Sequence, residues 1–289
     1  MPARLTKLSR TGVPHREAAV RAVKDPRKRL LRVLDLLEAN LGVPVWDGRK
    51  DALEVMVLTI LSQNTTDPNA LRGYQNLAAK LPAKRATGKD ARKLPRDADG
   101  QIDKVALRLS NAADAVEPPD WVAVANLSQK ELAEYIRAAG LPDSKSGAIL
   151  ALLHWVKDVT GKYSLDAAIE QLGLDASIQA LSQLKGIGVK TISVTLIEAT
   201  GADLCPVDTH VHRILNRLGI VSTGDNRDKT FTLLKPMLPL GRAYSLHHNL
   251  LTFGRTVCTA KSPRCGECFL RKLCPQVGVE ATSRRSRAG

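Results

Sequence analysis

The chain has 289 residues, 44% hydrophobic and 25% charged, with a formal net charge of +14. That is enough chain for two compact domains or one large one. No apolar run approaches the roughly 20 residues of a membrane-spanning helix, and 3% aromatics provide no stacking platform of the kind single-strand binders use. The charge sits at the ends. Residues 1–32 hold ten Lys/Arg against two Asp/Glu, residues 255–289 hold eight against two, and the stretch between them is neutral. A polyanionic partner held through duplex backbone contacts is the reading this favours; two solvated basic tails are the plainer alternative.

In chain order, Met1 to Lys24 is basic, poor in acids and without an apolar core. It is no secretory signal and reads as a flexible basic arm, a composition that transit peptides share. Without a signal the thiols belong in a reducing compartment, and a cytoplasmic, nucleoid-associated location is expected. Leu30, Val33, Leu34 and Leu37 line one face of a helix from about Pro26 to Asn40, ended by Gly42 and Pro44. Ala52 to Leu61 is almost wholly apolar and predicts a helix buried on all sides. Asp67-Pro68 restarts a helix, Asp at the cap and Pro at the first position, with Leu71, Tyr74 and Leu77 as its face. From Ala83 the pattern fails. A densely charged stretch to Gly100 predicts loop or disorder, and Ile102 to Val116 offers a short helix before Pro119. Ser128-Gln-Lys-Glu131 is a capping box for a helix to Ala139. Asp143 or Ser144 should cap the next, which runs to about Val159, and helices at Leu165–Leu172 and Asp175–Gln183 follow.

The segment Leu184-Lys-Gly-Ile-Gly-Val-Lys190 then places two glycines, Gly186 and Gly188, between helical patterns. Glycines permit a tight hairpin through positive φ or close backbone approach. A hairpin opening a helix presents free N–H groups at the positive end of the helix dipole, a site for one phosphate. Lys190 falls in the first turn of the second helix, where a cation is electrostatically misplaced. Half-neutral lysine near pH 7 needs a pKa lowered by roughly three units, about 4 kcal/mol, which desolvation and the dipole together could approach. A neutral amine is a nucleophile able to form a Schiff base with a sugar aldehyde; a surface lysine touching phosphate is the bland alternative. Asp208, ahead of Ile214, Leu215 and Leu218, reads as an ordinary helix N-cap. Helices at about Thr209–Leu218, Arg227–Met237 and Ala243–Phe253 come next. The last contains His247-His248, which point in different directions on a helix and so read as packing or hydrogen-bonding residues.

Four of the five cysteines follow as Cys258-x6-Cys265-x2-Cys268-x5-Cys274. Four thiols in so short a loop, in a reducing compartment, indicate a metal site and not disulfides. Spacing alone leaves zinc and a [4Fe-4S] cluster both open. Cys205 lies outside the set and reads as a small buried residue.

Taken together, the hairpin with Lys190, Val207-Asp-Thr-His210, Leu61-Ser-Gln-Asn-Thr-Thr-Asp67, Gly140-Leu141 with Ser144-Lys145, and the four cysteines resemble the helix–hairpin–helix DNA glycosylase superfamily, in particular its endonuclease III-like branch. The resemblance covers roughly Lys28 to Pro275, interrupted at 83–119, where endonuclease III proteins usually lack most of the chain. It implies an all-α, two-lobed fold with a DNA cleft between the lobes. Beyond the arm at 1–27, residues 28–43 plus 202–289 would form the cluster lobe and 44–201 the helical bundle. It also implies that Cys258, Cys265, Cys268 and Cys274 hold a [4Fe-4S] cluster. Lys190 would be the Schiff-base nucleophile and Asp208 the catalytic carboxylate of a bifunctional glycosylase and abasic-site lyase acting on oxidised pyrimidines. Leu141 would intercalate and Asn64 would fill the gap left by a flipped base, a place where the family often has Gln. Gly186 and Gly188 would bind phosphate, and Arg264 and Lys272 would add backbone contacts. The expected partner is damaged double-stranded DNA, with no membrane involved and the chain acting as a monomer. A monofunctional relative, a DNA-binding relative without catalysis and a zinc-dependent binding module are the alternatives; the lysine argues against the first, and Lys190 with Asp208 against the second.

Overall fold

A computed structural model of the chain describes residues 25–83 and 117–279. The expected basic arm up to residue 24, nearly all of the expected insertion with its helix from Ile102, and residues 280–289 lie outside the described residues. Among the described residues the protein is helical, with one isolated antiparallel bridge, between Pro82 and Pro119. Among the described residues the chain divides into two compact units, one of residues 44–83, 117–208 and 238–248, the other of residues 25–43, 209–237 and 249–279.

The bundle unit is built around α2 (Ala52–Leu61), whose ten residues are all buried, as the run of apolar side chains demands. It is preceded by α1 (Pro26–Leu41) of the other unit and followed by α3 (Asp67–Lys80), α4 (Trp121–Ala125), α5 (Gln129–Tyr135), α6 (Pro142–Thr160), α7 (Leu165–Leu172), α8 (Leu174–Ser182) and α9 (Val189–Thr200). Helices α3, α6, α7 and α9 all pack on α2. Its N-terminal amides are met by two carboxylates: Glu54 N donates to Asp51 and Ala52 N to Asp166 of α7, both at 2.9 Å. In α3 the cap position is Thr66, so Asp67 sits one place inside, in the first turn, where its charge suits the helix dipole. Gly73 lets α3 meet the short 3₁₀ turn Arg137–Ala139, because a Cβ there would lie 3.0 Å from that of Ala139. The capping box at Ser128 and Glu131 forms as expected.

A second cap, besides Thr66 in place of Asp67, differs from expectation. Neither Asp143 nor Ser144 caps α6; that position is taken by Leu141 in the left-handed region, φ 49°. Pro142 already supplies the fixed φ of a first helical residue, which pulls the helix start forward and leaves Asp143 inside the first turn. At the insertion, Asp120 N donates to Leu81 O (2.8 Å) and Ala83 N to Pro118 O (3.4 Å). The chain therefore leaves and returns at one point, so extra length there need not disturb the bundle.

The second unit contains α1, α10 (Thr209–Arg217), α11 (Arg227–Leu234), the second half of α12 (Ala243–Thr256) and the cysteine loop. Residues 202–208 and 238–248, expected with this unit, belong to the bundle. Asp203 accepts from Gly241 N (2.8 Å) and Ala243 N (3.2 Å), closing the start of α12 onto that segment. Arg29, 6% exposed on α1, donates to Leu218 O and Gly219 O at 3.1 and 3.0 Å. Gly219 (φ 63°) must be glycine-like here, since a Cβ would lie 2.9 Å from the guanidinium and 3.2 Å from Pro275.

Arg29→Met leaves those two carbonyls without their donor. We expect a loss of roughly 2–4 kcal/mol, read as a lower thermal midpoint, whereas exposed Arg27→Met should be close to neutral.

Candidate functional site

The Gly186–Gly188 hairpin joins α8 to α9. Only Gly186 needs its special freedom: its φ is 89°, and a Cβ would lie 3.0 Å from that of Ala148. Gly188, the N-cap of α9, has φ −90°, and a Cβ there would meet nothing within 4 Å. Lys190 lies in the first turn of α9 as expected. Part of its side chain is open to solvent, yet the protein packed around the ammonium strips hydration from it and pulls its pKa below the usual lysine value. Asp208 and Asp67 oppose that shift, so both carboxylates lie within electrostatic reach of the amine. Asp208, half-buried, ends the segment 204–208. Cys205 beside it is buried, and burial together with the Asp208 charge pushes its thiol upward, in keeping with an inert packing residue.

Behind Asp208, His247 Nδ1 donates to Pro206 O at 3.0 Å; the carbonyl can only accept, which fixes the tautomer. Burial and the neighbouring His248 push His247 below its ordinary value, so it is neutral at neutral pH. His248 Nε2 lies 3.0 Å from Glu198 Oε1 of α9. Burial raises the Glu198 pKa, but His248, with Lys50 and His247, outweighs it and the net shift is downward. The adjacent histidines thus serve different partners, as their helical positions require.

The two expected wedge residues share an unusual backbone. Asn64 and Leu141 have φ 52° and 49°, and both are exposed, Leu141 by 53%. Next to Asn64, Gln63 Nε2 donates to Gly186 O (3.1 Å) and Thr191 Oγ1 (3.0 Å), tying this loop to the hairpin and to the helix of Lys190. Sequence patterns single out neither Gln63 nor, beyond its place in a motif, Lys145. Lys145 is 2% exposed and aligned with Ala148, Ile149 and Leu152 on the buried face of α6. A lysine on an apolar stripe is the signal that the sequence offers for it.

In the other unit the four cysteines line one hollow together with Arg217, Phe253 and Leu270. Among the described residues no three His, Cys, Asp or Glu side chains are gathered tightly enough to hold a single metal ion. Tetrathiolate zinc, with bonds of about 2.3 Å, would draw its sulfurs within about 4 Å of one another. Four cysteine thiols lining one hollow are equally the donor set that a [4Fe-4S] cluster takes. Burial, with the other three sulfurs, pushes Cys274 up to about 11, so its thiolate requires a cationic guest. The loop is held by guanidinium groups. Arg217 donates to Thr259 O (2.7 Å) and Ala260 O (2.8 Å) and reaches Cys258 Sγ (3.4 Å). Arg213 Nη2 donates to Cys258 O (2.8 Å) and Gly254 O (3.1 Å). Gln276 N points to Cys274 Sγ at 3.4 Å. Arg264 and Lys272 are exposed on the loop surface.

Residues 57–239 match the family model of HhH-GPD superfamily base excision DNA repair proteins. The chain belongs to that superfamily. Residues 258–274 match the iron-sulfur binding domain of endonuclease III, which places the chain in the endonuclease III-like branch of the HhH-GPD superfamily. Among relatives, the endonuclease III homolog of Encephalitozoon cuniculi is 27% identical, covering 88% of this chain and 91% of its own. Endonuclease III of Escherichia coli K12 is 28% identical, covering 77% and 95%. A solved non-covalent endonuclease III–DNA complex, 22% identical, covers 86% of this chain and 94% of its own with a TM-score of 0.60, a likeness of fold. This HhH-GPD chain is thus a base-excision-repair glycosylase, and its cysteine loop holds a [4Fe-4S] cluster. Among the described residues no helix is long and apolar enough to cross a membrane.

Arg217→Met should lower the iron content of the purified protein well below the roughly four irons of a full cluster, since it frees the carbonyls that shape the first turn of the loop. Iron per chain, measured against the unaltered protein, checks this.

Proposed function

We propose that the protein is a bifunctional DNA glycosylase and abasic-site lyase that removes oxidised pyrimidines from duplex DNA, with Lys190 as nucleophile and Asp208 as its carboxylate partner. The observation that carries this reading is the Lys190 amine itself, partly desolvated at the start of α9 and within electrostatic reach of Asp208. Desolvation makes the neutral, nucleophilic form accessible, and the nearby carboxylate can stabilise positive charge developing on the sugar. The lysine nitrogen forms a bond to C1′ while the damaged base departs with the electron pair of the glycosidic bond. The amine loses its protons as the ring opens to the Schiff base. Loss of a C2′ proton then expels the 3′ phosphate and cuts the strand on that side. The similar proteins support this reading; one solved structure alike in fold is a trapped endonuclease III–DNA covalent intermediate.

The remaining parts have evident uses. Gly188 is not required by the fold, so its bareness leaves the N–H groups at the head of α9 open to one phosphate, with Gly186 shaping the turn. Leu141 and Asn64 would enter the duplex beside the extruded nucleotide. Arg264 and Lys272 would add sequence-independent phosphate contacts from the cluster loop.

Borohydride reduction on an abasic-site duplex should capture a covalent adduct with the unaltered protein and none with Lys190→Gln, while duplex binding changes little. Absence of an adduct with the unaltered chain would mean a monofunctional enzyme.

The pH dependence gives a second check. Only the neutral amine attacks, so capture should rise with pH and level off below the roughly 10.4 of ordinary lysine. Asp67 raises the Lys190 pKa, so Asp67→Asn should move the rising limb to lower pH. A limb that stays in place or moves upward would show that Lys190 is not the titrating group.

A further inference from the structure

Lys145 has a buried ammonium whose partners are two backbone carbonyls. Its Nζ donates to Leu61 O and to Ala139 O, each at 2.7 Å. Loss of hydration on burial pulls its pKa below the usual lysine value. A positive charge taken out of water at this cost is a poor device for filling space, since an apolar side chain of similar length would fill it more cheaply.

What the two carbonyls have in common is their place. Leu61 ends α2, three residues before Asn64, and Ala139 ends the 3₁₀ turn, two residues before Leu141. Helix ends leave carbonyls without partners and carry partial negative charge, so one ammonium closes both ends at once. The residues beyond each end, Asn64 and Leu141, are two of the three non-glycine residues with positive φ among the described residues. A leucine in the left-handed region is strained, and here it projects a side chain that is half exposed. The backbone N–H of Lys145 also donates to Leu141 O (3.1 Å). Its main chain and side chain therefore grip the Leu141 turn from both sides. Gln63 carries the connection onward to Gly186 and Thr191 of the hairpin and α9.

We propose that Lys145 is a positioning residue that locks the Asn64 loop and the Leu141 loop together, so that both enter damaged DNA as a single rigid wedge. The proposal rests on the reading of those two residues as the ones that enter the duplex. It assigns to Lys145 no contact with DNA and no part in the bond-making steps.

The test uses the full chain with its cluster. Binding is measured to a duplex with a tetrahydrofuran abasic analogue and to the same duplex undamaged, for the unaltered protein, Lys145→Met, Leu141→Ala and the double variant. Lys145→Met should weaken binding to the abasic duplex by about tenfold or more and to the undamaged duplex by less than about twofold. In the Leu141→Ala background the loss from Lys145→Met should shrink, because the clamp then holds only the Asn64 half of the wedge. Equal losses on both duplexes, or losses that simply multiply in the double variant, would overturn the proposal in favour of a role in stability alone. If Lys145→Met fails to accumulate with its cluster, Lys145→Gln, which retains one donor, carries the same comparison with an intermediate loss expected. Should the unaltered protein form the borohydride adduct yet show additive losses, the proposal alone fails. If it binds both duplexes alike, the assignment of Asn64 and Leu141 as wedges fails, and the proposal with it.

Discussion

A helix buried on every side has to satisfy its own ends inside the protein, because water cannot reach them. In α2 each large aliphatic side chain removed from water contributes roughly 1.5–3 kcal/mol. Each buried amide or carbonyl left bare would cancel about 1–3 kcal/mol of that, so a few orphaned groups would undo the gain. The amides at its head are met by Asp51 and by Asp166 from α7, and the Leu61 carbonyl at its tail by Lys145 from α6. Those polar partners fix where α7 and α6 must stand. The candidate catalytic helix α9 packs along the same buried rod. Positions in the bundle unit are thus set by polar closure of one apolar helix as much as by apolar packing.

The cluster unit solves a different problem. Its loop has little apolar surface of its own: Leu270 is buried and Phe269 lies 5.2 Å from Phe253. Burial and the neighbouring sulfurs raise the Cys268 and Cys274 thiols above their ordinary range, so these two resist ionisation. The [4Fe-4S] cluster supplies the compensating charge and the cross-links at once. Arg213 and Arg217 organise the backbone around it through carbonyls, with five donors each in a planar fork suited to several acceptors.

At Lys190 desolvation outweighs the two carboxylates that oppose it. Desolvation favours the neutral amine of Lys190, whereas Asp208 and Asp67 favour the ammonium. The neighbouring charges are confined by pairing: His248 stands against Glu198, and neutral His247 holds Pro206, two residues before Asp208. A neutral imidazole can anchor that backbone without adding a positive charge near the amine.

Much of this was determined by the sequence alone. The all-helical class followed from apolar spacing. The total burial of Ala52–Leu61, the capping box at Ser128, the hairpin glycines and the gathering of four cysteines into one metal loop followed from local composition, because each is a property of residues close together in the chain. Where the local rules competed, sequence was less decisive: Pro142 overrode Asp143 and Ser144 at the head of α6, leaving Leu141 in a left-handed turn. The tertiary structure alone decided which distant groups meet. Nothing local says that Lys145 reaches Leu61, 84 residues away, that Gln63 reaches the hairpin, or that Asp67 shares the field of Lys190 with Asp208. It also decided that residues 238–248 pack with the bundle, through Asp203 and the two histidines. Hydrogen bonds and electrostatic fields act through space over a few ångströms, and only folding brings such residues within that range.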